Sequence, residues 1–163
     1  LATYAHWYPT DTDMDWPTSV LTCQRSNVVW ARRQHTAYGW ILVGVAIAWT
    51  ATGIGVALAH EATLATYLVA IALPSLPALL DASESARSHF AAAEARMHLE
   101  EVIDTQLDEP DGVDRAQLRE TQDQLFVLRR DAPLVPDWFY KRVAGGFEDD
   151  MRYAAAQRPS NEA

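Results

Sequence analysis

The side chains of this chain that could do chemistry are scattered along the sequence. Of its five histidines, His89 and His98 are nine residues apart, so they do not share a helix face as metal-ligand pairs spaced by four residues do. The acidic residues between Glu94 and Asp104 have the pattern of a solvated helix face. The single cysteine, Cys23, lies in an amphipathic pattern, where a small packing residue is commoner than a nucleophile. The sequence has no glycine-rich phosphate loop and no nucleophile elbow. It therefore predicts no enzyme, no cofactor and no metal site.

Two long apolar runs organise the chain instead. Neither Lys nor Arg occurs from Gln34 to Ala86, and within that stretch residues 38–59 and 62–80 carry no charge at all. A helix of about 20 residues crosses a hydrocarbon core of roughly 30 Å. Because only His60-Glu61 separates the runs, residues 37–80 are predicted to form a transmembrane hairpin that enters and leaves the lipid bilayer on one side.

The charges around the runs predict the orientation of the hairpin. Arg25, Arg32 and Arg33 precede the first run, and no basic residue lies between the runs. By the positive-inside tendency, both chain ends are expected on the cytoplasmic side of the inner (cytoplasmic) membrane, with His60-Glu61 outside. The alternative is a hairpin buried in a soluble bundle. A soluble helix of this length normally has a polar stripe, which both runs lack.

The predicted fold class is all-α: a transmembrane helical hairpin with an α-helical cytoplasmic C-terminal region. Residues 1–36 are expected to form a loop, Leu1–Thr18, and then an amphipathic cytoplasmic helix. That helix begins near Val20 and continues into the first span, because no Gly or Pro interrupts it before Gly39.

The third region, residues 81–163, holds eighteen of the twenty-two acidic residues, which argues against binding to nucleic-acid polymers. Its patterns predict three helices: Ser83–Leu107, Asp114–Arg130 and Trp138–Gln157. The first two are expected to pack as an antiparallel pair joined by the Pro110–Asp114 turn. Trp138 and Phe139 are expected to insert against that pair, because two large aromatic side chains are costly to leave in water.

The segment from Cys23 to Trp30 is predicted to hold helices together. Cys23, Asn27 and Trp30 share a helix face, and Gln24 and Asn27 offer amide groups to a neighbouring element. Arg25 is expected to pair with an acidic residue of the C-terminal helices. Ligand binding by Arg25 is a weaker alternative.

Small residues at four-residue spacing predict close helix packing within the membrane. Gly44, Ala48 and Thr52 have this spacing on the first span, and Gly55 lies on a neighbouring line with Ala51. Ala62, Thr66 and Ala70 repeat the pattern on the second span. One hairpin uses only part of this surface, so a homo-oligomer is expected. Pro74 and Pro77 interrupt the hydrogen bonding of the second span, and predict either a gating hinge or a kinked exit into the Ser83 helix.

Several short motifs resemble a known family. They are Trp7-Tyr8-Pro9, Cys23-Gln24-Arg25-Ser26-Asn27 with Trp30, Arg32-Arg33 and Tyr38, Val135-Pro136-Asp137-Trp138-Phe139-Tyr140, and the pair Glu148 and Met151. The chain is similar to the second half of the SMODS- and SLOG-associating four-span effectors of bacterial anti-phage signalling. The first two spans of such proteins have no counterpart here, so either the chain is a fragment or the N-terminal half is another polypeptide.

The resemblance implies a membrane effector, pore-forming or membrane-disrupting, that an upstream sensor protein or a nucleotide second messenger triggers. The alternative from the residues alone is a non-conducting membrane anchor with a cytoplasmic helical docking or assembly module. Neither span contains a charge, so a pore would have to be lined by hydroxyl groups and by backbone near the prolines, or by the missing spans. The hydroxyl-bearing residues are Thr50, Thr52, Thr63, Thr66 and Ser75.

Overall fold

Residues 15–109 and 112–142 are described by a computed structural model, and within them every regular element is a helix. We number these helices α1 (Trp16–Ala59), α2 (Leu64–Leu107), α3 (Arg115–Arg130) and α4 (residues 137–142). Several predicted features lie outside the described residues. They are the loop before residue 15, the Pro110-Asp111 dipeptide, the helix beyond residue 142 and the motifs Trp7-Tyr8-Pro9 and Glu148/Met151.

The first helix, α1, crosses the boundary between the polar and the apolar sequence without a break, as the absence of Gly and Pro before Gly39 predicts. It begins a few residues before the expected Val20, at Trp16, because Pro17 is compatible with the first turn of a helix. At 44 residues it is about 66 Å long. One rod therefore carries both the amphipathic segment and the first apolar run.

The second helix, α2, is also longer than the sequence indicated. Thr63 caps its start by accepting a hydrogen bond from the Thr66 backbone N–H, and the helix then continues to Leu107. The prediction of a separate helix beginning at Ser83 is wrong. The alanine-rich sequence from Ala82 onward favours the same backbone as the apolar run before it, and only the polarity of the side chains changes there.

A π-helical segment, Leu68–Ala72, lies just before the two prolines of α2. The Leu73 N–H donates to the carbonyl of Leu68, five residues back. Pro74 has no N–H to donate and Pro77 lies inside the helix that follows, so the wider turn accommodates a stretch where hydrogen-bond donors are missing. The gating hinge proposed at these prolines stays a prediction.

The connection between α1 and α2 is a tight turn. Glu61 adopts a left-handed conformation with φ of 51°, and the Ala62 N–H bonds to the carbonyl of Ala57 at 2.9 Å. This 6→1 hydrogen bond is that of a Schellman motif at the C-terminus of a helix. The position of Glu61 in this motif is usually occupied by glycine. The two rods therefore run antiparallel as a hairpin.

The polar halves of the two rods join α3 in a three-helix bundle. Asp114 and Gln117 form a reciprocal capping box at the start of α3, which confirms the predicted start. The buried core takes two residues from each helix: Leu21, Val28, Leu99, Ile103, Leu118 and Leu125. The expected packing of the Ser83–Leu107 region against α3 is confirmed, with α1 as the third wall.

The apolar halves of the rods project beyond this bundle. The most apolar window of each helix has no buried residue, so no described part of the chain covers these surfaces. Both helices are long and apolar enough to cross a membrane. A hairpin shielded inside a soluble bundle would instead have most of these residues buried.

Candidate functional site at the junction of hairpin and bundle

An ion-pair network connects α1 to α2. It consists of Arg25, Arg32, Glu100 and Asp104, and we call it the arginine network. The Arg25 guanidinium donates from Nε to Asp104 Oδ1 and from Nη2 to Asp104 Oδ2 at 2.9 Å, and Nη2 lies 3.5 Å from Glu100 Oε1. Arg32 Nε lies 3.0 Å from Glu100 Oε2. The hydrogen bond that Arg25 donates to Asp104 raises the pKa of Arg25. The expected pairing of Arg25 with an acidic residue is confirmed.

Gln24 connects α1 to α3 on the neighbouring face. Its Nε2 donates to Gln122 Oε1 at 3.1 Å and to the Leu118 carbonyl at 3.4 Å. The predicted bridging role is therefore confirmed for Gln24. Cys23 and Asn27 are half-buried on the same helix, and burial raises the pKa of the Cys23 thiol, which disfavours a reactive thiolate.

A pair of buried histidines joins α1 to α2 nearer the hairpin. His35 Nδ1 lies 2.9 Å from His89 Nδ1, and the side chains are 5% and 1% exposed, respectively. One ring must donate and the other accept, so the accepting ring is neutral when this bond forms. Burial lowers the pKa of both histidines, that of His35 to about 4, with a further contribution from the positive charge of Arg96. The sequence does not reveal this pair, because its partners are 54 residues apart.

Arg96 is the buried cation beside this pair. Its Nη1 donates to the Ala92 carbonyl at 2.6 Å and its Nη2 to the Leu128 carbonyl at 3.0 Å. Leu128 lies in the last turn of α3, where unpaired carbonyls attract a positive charge. Arg96 thus ties the end of α3 to α2. Sequence reasoning missed this role, since the acceptors are backbone atoms.

The short helix α4 is held on α1 by its aromatic residues. The Phe139 ring lies 5.2 Å from that of Tyr38, and Tyr140 meets Trp30 edge-on at 5.1 Å. Phe139 is 2% exposed, but Trp138 is 59% exposed, so the expectation that both would be inserted is wrong for Trp138. Phe139 and Tyr140 pack on α1 rather than on the α2–α3 pair, which leaves Trp138 on the open side of α4.

Glycines of the hairpin fall on two opposite faces of α1. A Cβ at Gly39 would lie 2.8 Å from the Phe90 ring, and one at Gly53 would lie 2.9 Å from Ile71 Cγ2. These two glycines make the close contact between the rods, and sequence reasoning did not select them. A Cβ at Gly44 or Gly55 meets nothing within 4 Å.

The small residues that were predicted to pack therefore face outward. The following residues are all exposed in the hairpin: Gly44, Ala48, Thr52, Gly55, Thr66 and Ala70. Successive helix residues are rotated by 100°, so Gly44, Ala48 and Gly55 lie within one narrow stripe, on the side of α1 away from Gly53. We call it the outward small-residue stripe.

Polar groups inside the hairpin are satisfied locally. Trp49 Nε1 donates to Ser75 Oγ at 3.0 Å, which links the two rods. Thr50 and Thr52 donate to the carbonyls four residues earlier in α1. Among the described residues, no group of three or more metal-ligating side chains is present.

The fold defines the class of this protein: an apolar helical hairpin continues without interruption into a polar helical bundle. The chain belongs to the family of the SMODS-associating 4TM effector domain, whose family model matches residues 2–158. The resemblance that the sequence motifs suggested is confirmed. No curated protein and no solved structure matches the chain.

Proposed function

We propose that this chain is a non-catalytic membrane effector that permeabilises the bilayer as a homo-oligomer. The hairpin lies in the inner membrane with the bundle and both chain ends in the cytoplasm. A nucleotide second messenger, or a sensor protein of the same defence system against phage, acts on the bundle and switches the hairpin to its permeabilising arrangement.

The observation that carries the proposal is the outward small-residue stripe. The hairpin already uses Gly39 and Gly53 for its own close packing, so Gly44 and Gly55 on the opposite face are unnecessary for it. Small residues let helix backbones approach closely in lipid, where packing and not the hydrophobic effect drives association. A second hairpin fits such a face, and membership in an effector family supports an active role for the assembly.

The continuity of α1 and α2 supports coupling between bundle and hairpin. The arginine network and the histidine pair both join α1 to α2 on the cytoplasmic side of the apolar runs. A displacement of one rod against the other within the bundle would be carried along rigid helix into the membrane. Such a displacement requires a partner that binds the two arrangements with different affinity.

The test is dye release from liposomes that contain the complete protein, with and without its trigger. We expect Gly44→Leu and Gly55→Leu to abolish oligomers and dye release together, because bulk on the stripe separates the backbones. Val45→Leu is the matched control: it adds bulk to the same helix at an exposed position off the stripe. Membrane insertion is checked separately by flotation. Leu variants that still oligomerise and release dye would contradict the proposal.

The non-conducting anchor is the second candidate, and the local hydrogen bonds of the hydroxyl groups favour it. Thr50 and Thr52 donate to their own helix and Ser75 accepts from Trp49, so these residues offer a weak polar lining for a pore. A wild-type complete protein that oligomerises but never releases dye in the presence of its trigger would establish the anchor in place of the effector.

A further inference from the structure

We infer that residues 133–142, which we call the interfacial segment, bind the surface of the bilayer and prefer anionic lipid. Leu134 and Trp138 enter the headgroup region, and Lys141 and Arg142 contact anionic headgroups. The inference rests on the proposed membrane position of the hairpin and goes beyond it, because it assigns a lipid contact to a part of the chain outside both apolar runs.

The position of the segment is fixed by its contacts with α1. Phe139 packs on Tyr38, the first residue of the charge-free run 38–59. Tyr38 also contacts His89 on α2, which lies nine residues beyond Leu80, the last residue of the second run. Residue 138 is therefore close to the level at which the first apolar run begins on α1. A polar–apolar boundary of this kind is where Trp and Tyr side chains concentrate in membrane proteins.

The exposure of the segment is the second observation. Leu134 is 93% exposed and Trp138 is 59% exposed. Phe139 is fully buried beside Trp138, so α4 is held in one orientation that directs Trp138 away from the bundle. Trp40 of α1, at the same level, is exposed as well and packs edge-on against Phe90. Trp138 and Trp40 are therefore large aromatic groups at this level that the bundle leaves uncovered, and such groups are suited to lipid.

The charges at this level favour anionic headgroups over water alone. Lys141 and Arg142 lie three and four residues after Trp138 on α4, and both are exposed. Arg87 is exposed on α2, two residues from His89. Exposed acidic residues also occur in this part of the chain, among them Asp131 and Asp137, and the two cations of the segment follow them on α4. Basic side chains next to an inserted aromatic are the usual composition of a membrane-surface segment.

The test measures depth in the bilayer with a fluorescent reporter on a single cysteine. All variants carry Cys23→Ser, and the reporter is attached after Leu134→Cys, Val69→Cys or Ala116→Cys. Val69 lies in the second apolar run and Ala116 lies on α3 at the far end of the bundle, and both are exposed. The proteins are reconstituted in phosphatidylcholine vesicles with or without phosphatidylglycerol. Quenching by lipid carrying a nitroxide is recorded, with the nitroxide at headgroup level for positions 134 and 116 and in the acyl chain for position 69.

We expect the reporter at position 134 to show blue-shifted emission and several-fold stronger quenching than the reporter at position 116. Phosphatidylglycerol should strengthen this quenching, and Lys141→Glu with Arg142→Glu should remove the increase. If position 69 is quenched and position 134 behaves like position 116, the inference is overturned and the membrane hairpin stands. If position 69 is also unquenched, both are overturned. A blue shift at position 134 without lipid quenching would assign the segment to a protein contact and overturn the lipid assignment.

Discussion

Arg25 lies between two carboxylates on α2, and it is the best example of a residue whose role follows from its charge and position. Replacing it by Glu would place a third carboxylate beside Glu100 and Asp104. We expect Arg25→Glu to lower the free energy of unfolding of the bundle by about 1–3 kcal/mol, because charged hydrogen bonds are lost and like charges face each other. Thermal unfolding in detergent, followed by circular dichroism, measures this loss.

The control for Arg25 is a pair of the same chemistry on the surface. Arg119 and Asp123 are one helical turn apart on α3, and their side chains are 80% and 68% exposed. Arg119→Glu should therefore lower the free energy of unfolding by only about 0.5 kcal/mol or less. Equal losses for Arg25→Glu and Arg119→Glu would show that the arginine network contributes no more than an exposed ion pair.

The histidine pair predicts a pH dependence. Because burial holds the folded pKa of His35 at about 4, below the ordinary value of 6.5, the folded state binds fewer protons than the unfolded state between these values. Its contribution to stability is complete above pH 6.5 and is lost progressively as the pH falls toward 4, by roughly 2–3 kcal/mol. Unfolding measured from pH 7 to pH 4 should show this slope.

Two variants separate the histidine pair from the carboxylates that titrate in the same acid range. His35→Gln should reduce the pH slope, since it removes the group that must be protonated. His98→Gln is the control, because it makes the same substitution at an exposed histidine that lies beside Glu101 on the surface. A wild-type slope in the His35 variant would exclude the pair as its cause.

At the scale of the helices, the two glycine faces of α1 make opposite predictions for the same substitution. Gly39→Ala brings a methyl group against the Phe90 ring and should destabilise the hairpin by about 1–3 kcal/mol. Gly44→Ala meets open space and should be neutral or stabilising by up to about 1 kcal/mol. Unfolding in a detergent that keeps the chain monomeric compares the two. A Gly39→Ala variant as stable as Gly44→Ala would contradict the close contact at Gly39.

Which helices form could be predicted from the sequence, because their signals are local. The charge-free runs, the lack of helix breakers before Gly39 and the capping pattern at Asp114 each act within a few residues. The partner of Arg25 also followed, since acidic residues are concentrated in the C-terminal half. These features depend on composition and spacing, and both can be read directly.

Features that depend on the register between helices could not be predicted. Gly39 and Gly53 have the same local sequence character as Gly44 and Gly55, and only the pairing of the rods decides which face points inward. The same holds for His35 with His89 and for Arg96 with the Leu128 carbonyl. The exposure of Trp138 follows from the packing of Phe139 on α1, whereas the polarity pattern alone gave both aromatics the same preference. The continuity of α2 through Ser83 was missed because a change in polarity resembles an end of a helix.

For the whole molecule, the proposed topology makes a labelling prediction. In a Cys23→Ser background, His60→Cys in the hairpin turn should react with a membrane-impermeant maleimide added to intact cells, because the turn lies on the outer side. Ala116→Cys on the bundle should react only after the cells are opened. The opposite pattern would place the bundle outside and contradict the proposed cytoplasmic position.

The three-helix core also sets the order of events during synthesis. Leu21 and Val28 leave the ribosome before the hairpin, whereas Leu99, Ile103, Leu118 and Leu125 leave it afterwards. In the proposed topology, the amphipathic half of α1 must therefore wait, with its apolar face uncovered, until both apolar runs have entered the bilayer. Closing the bundle is then the last step. A chain that failed to insert would keep its apolar runs in water, so membrane insertion would act as a checkpoint on the folding of the bundle.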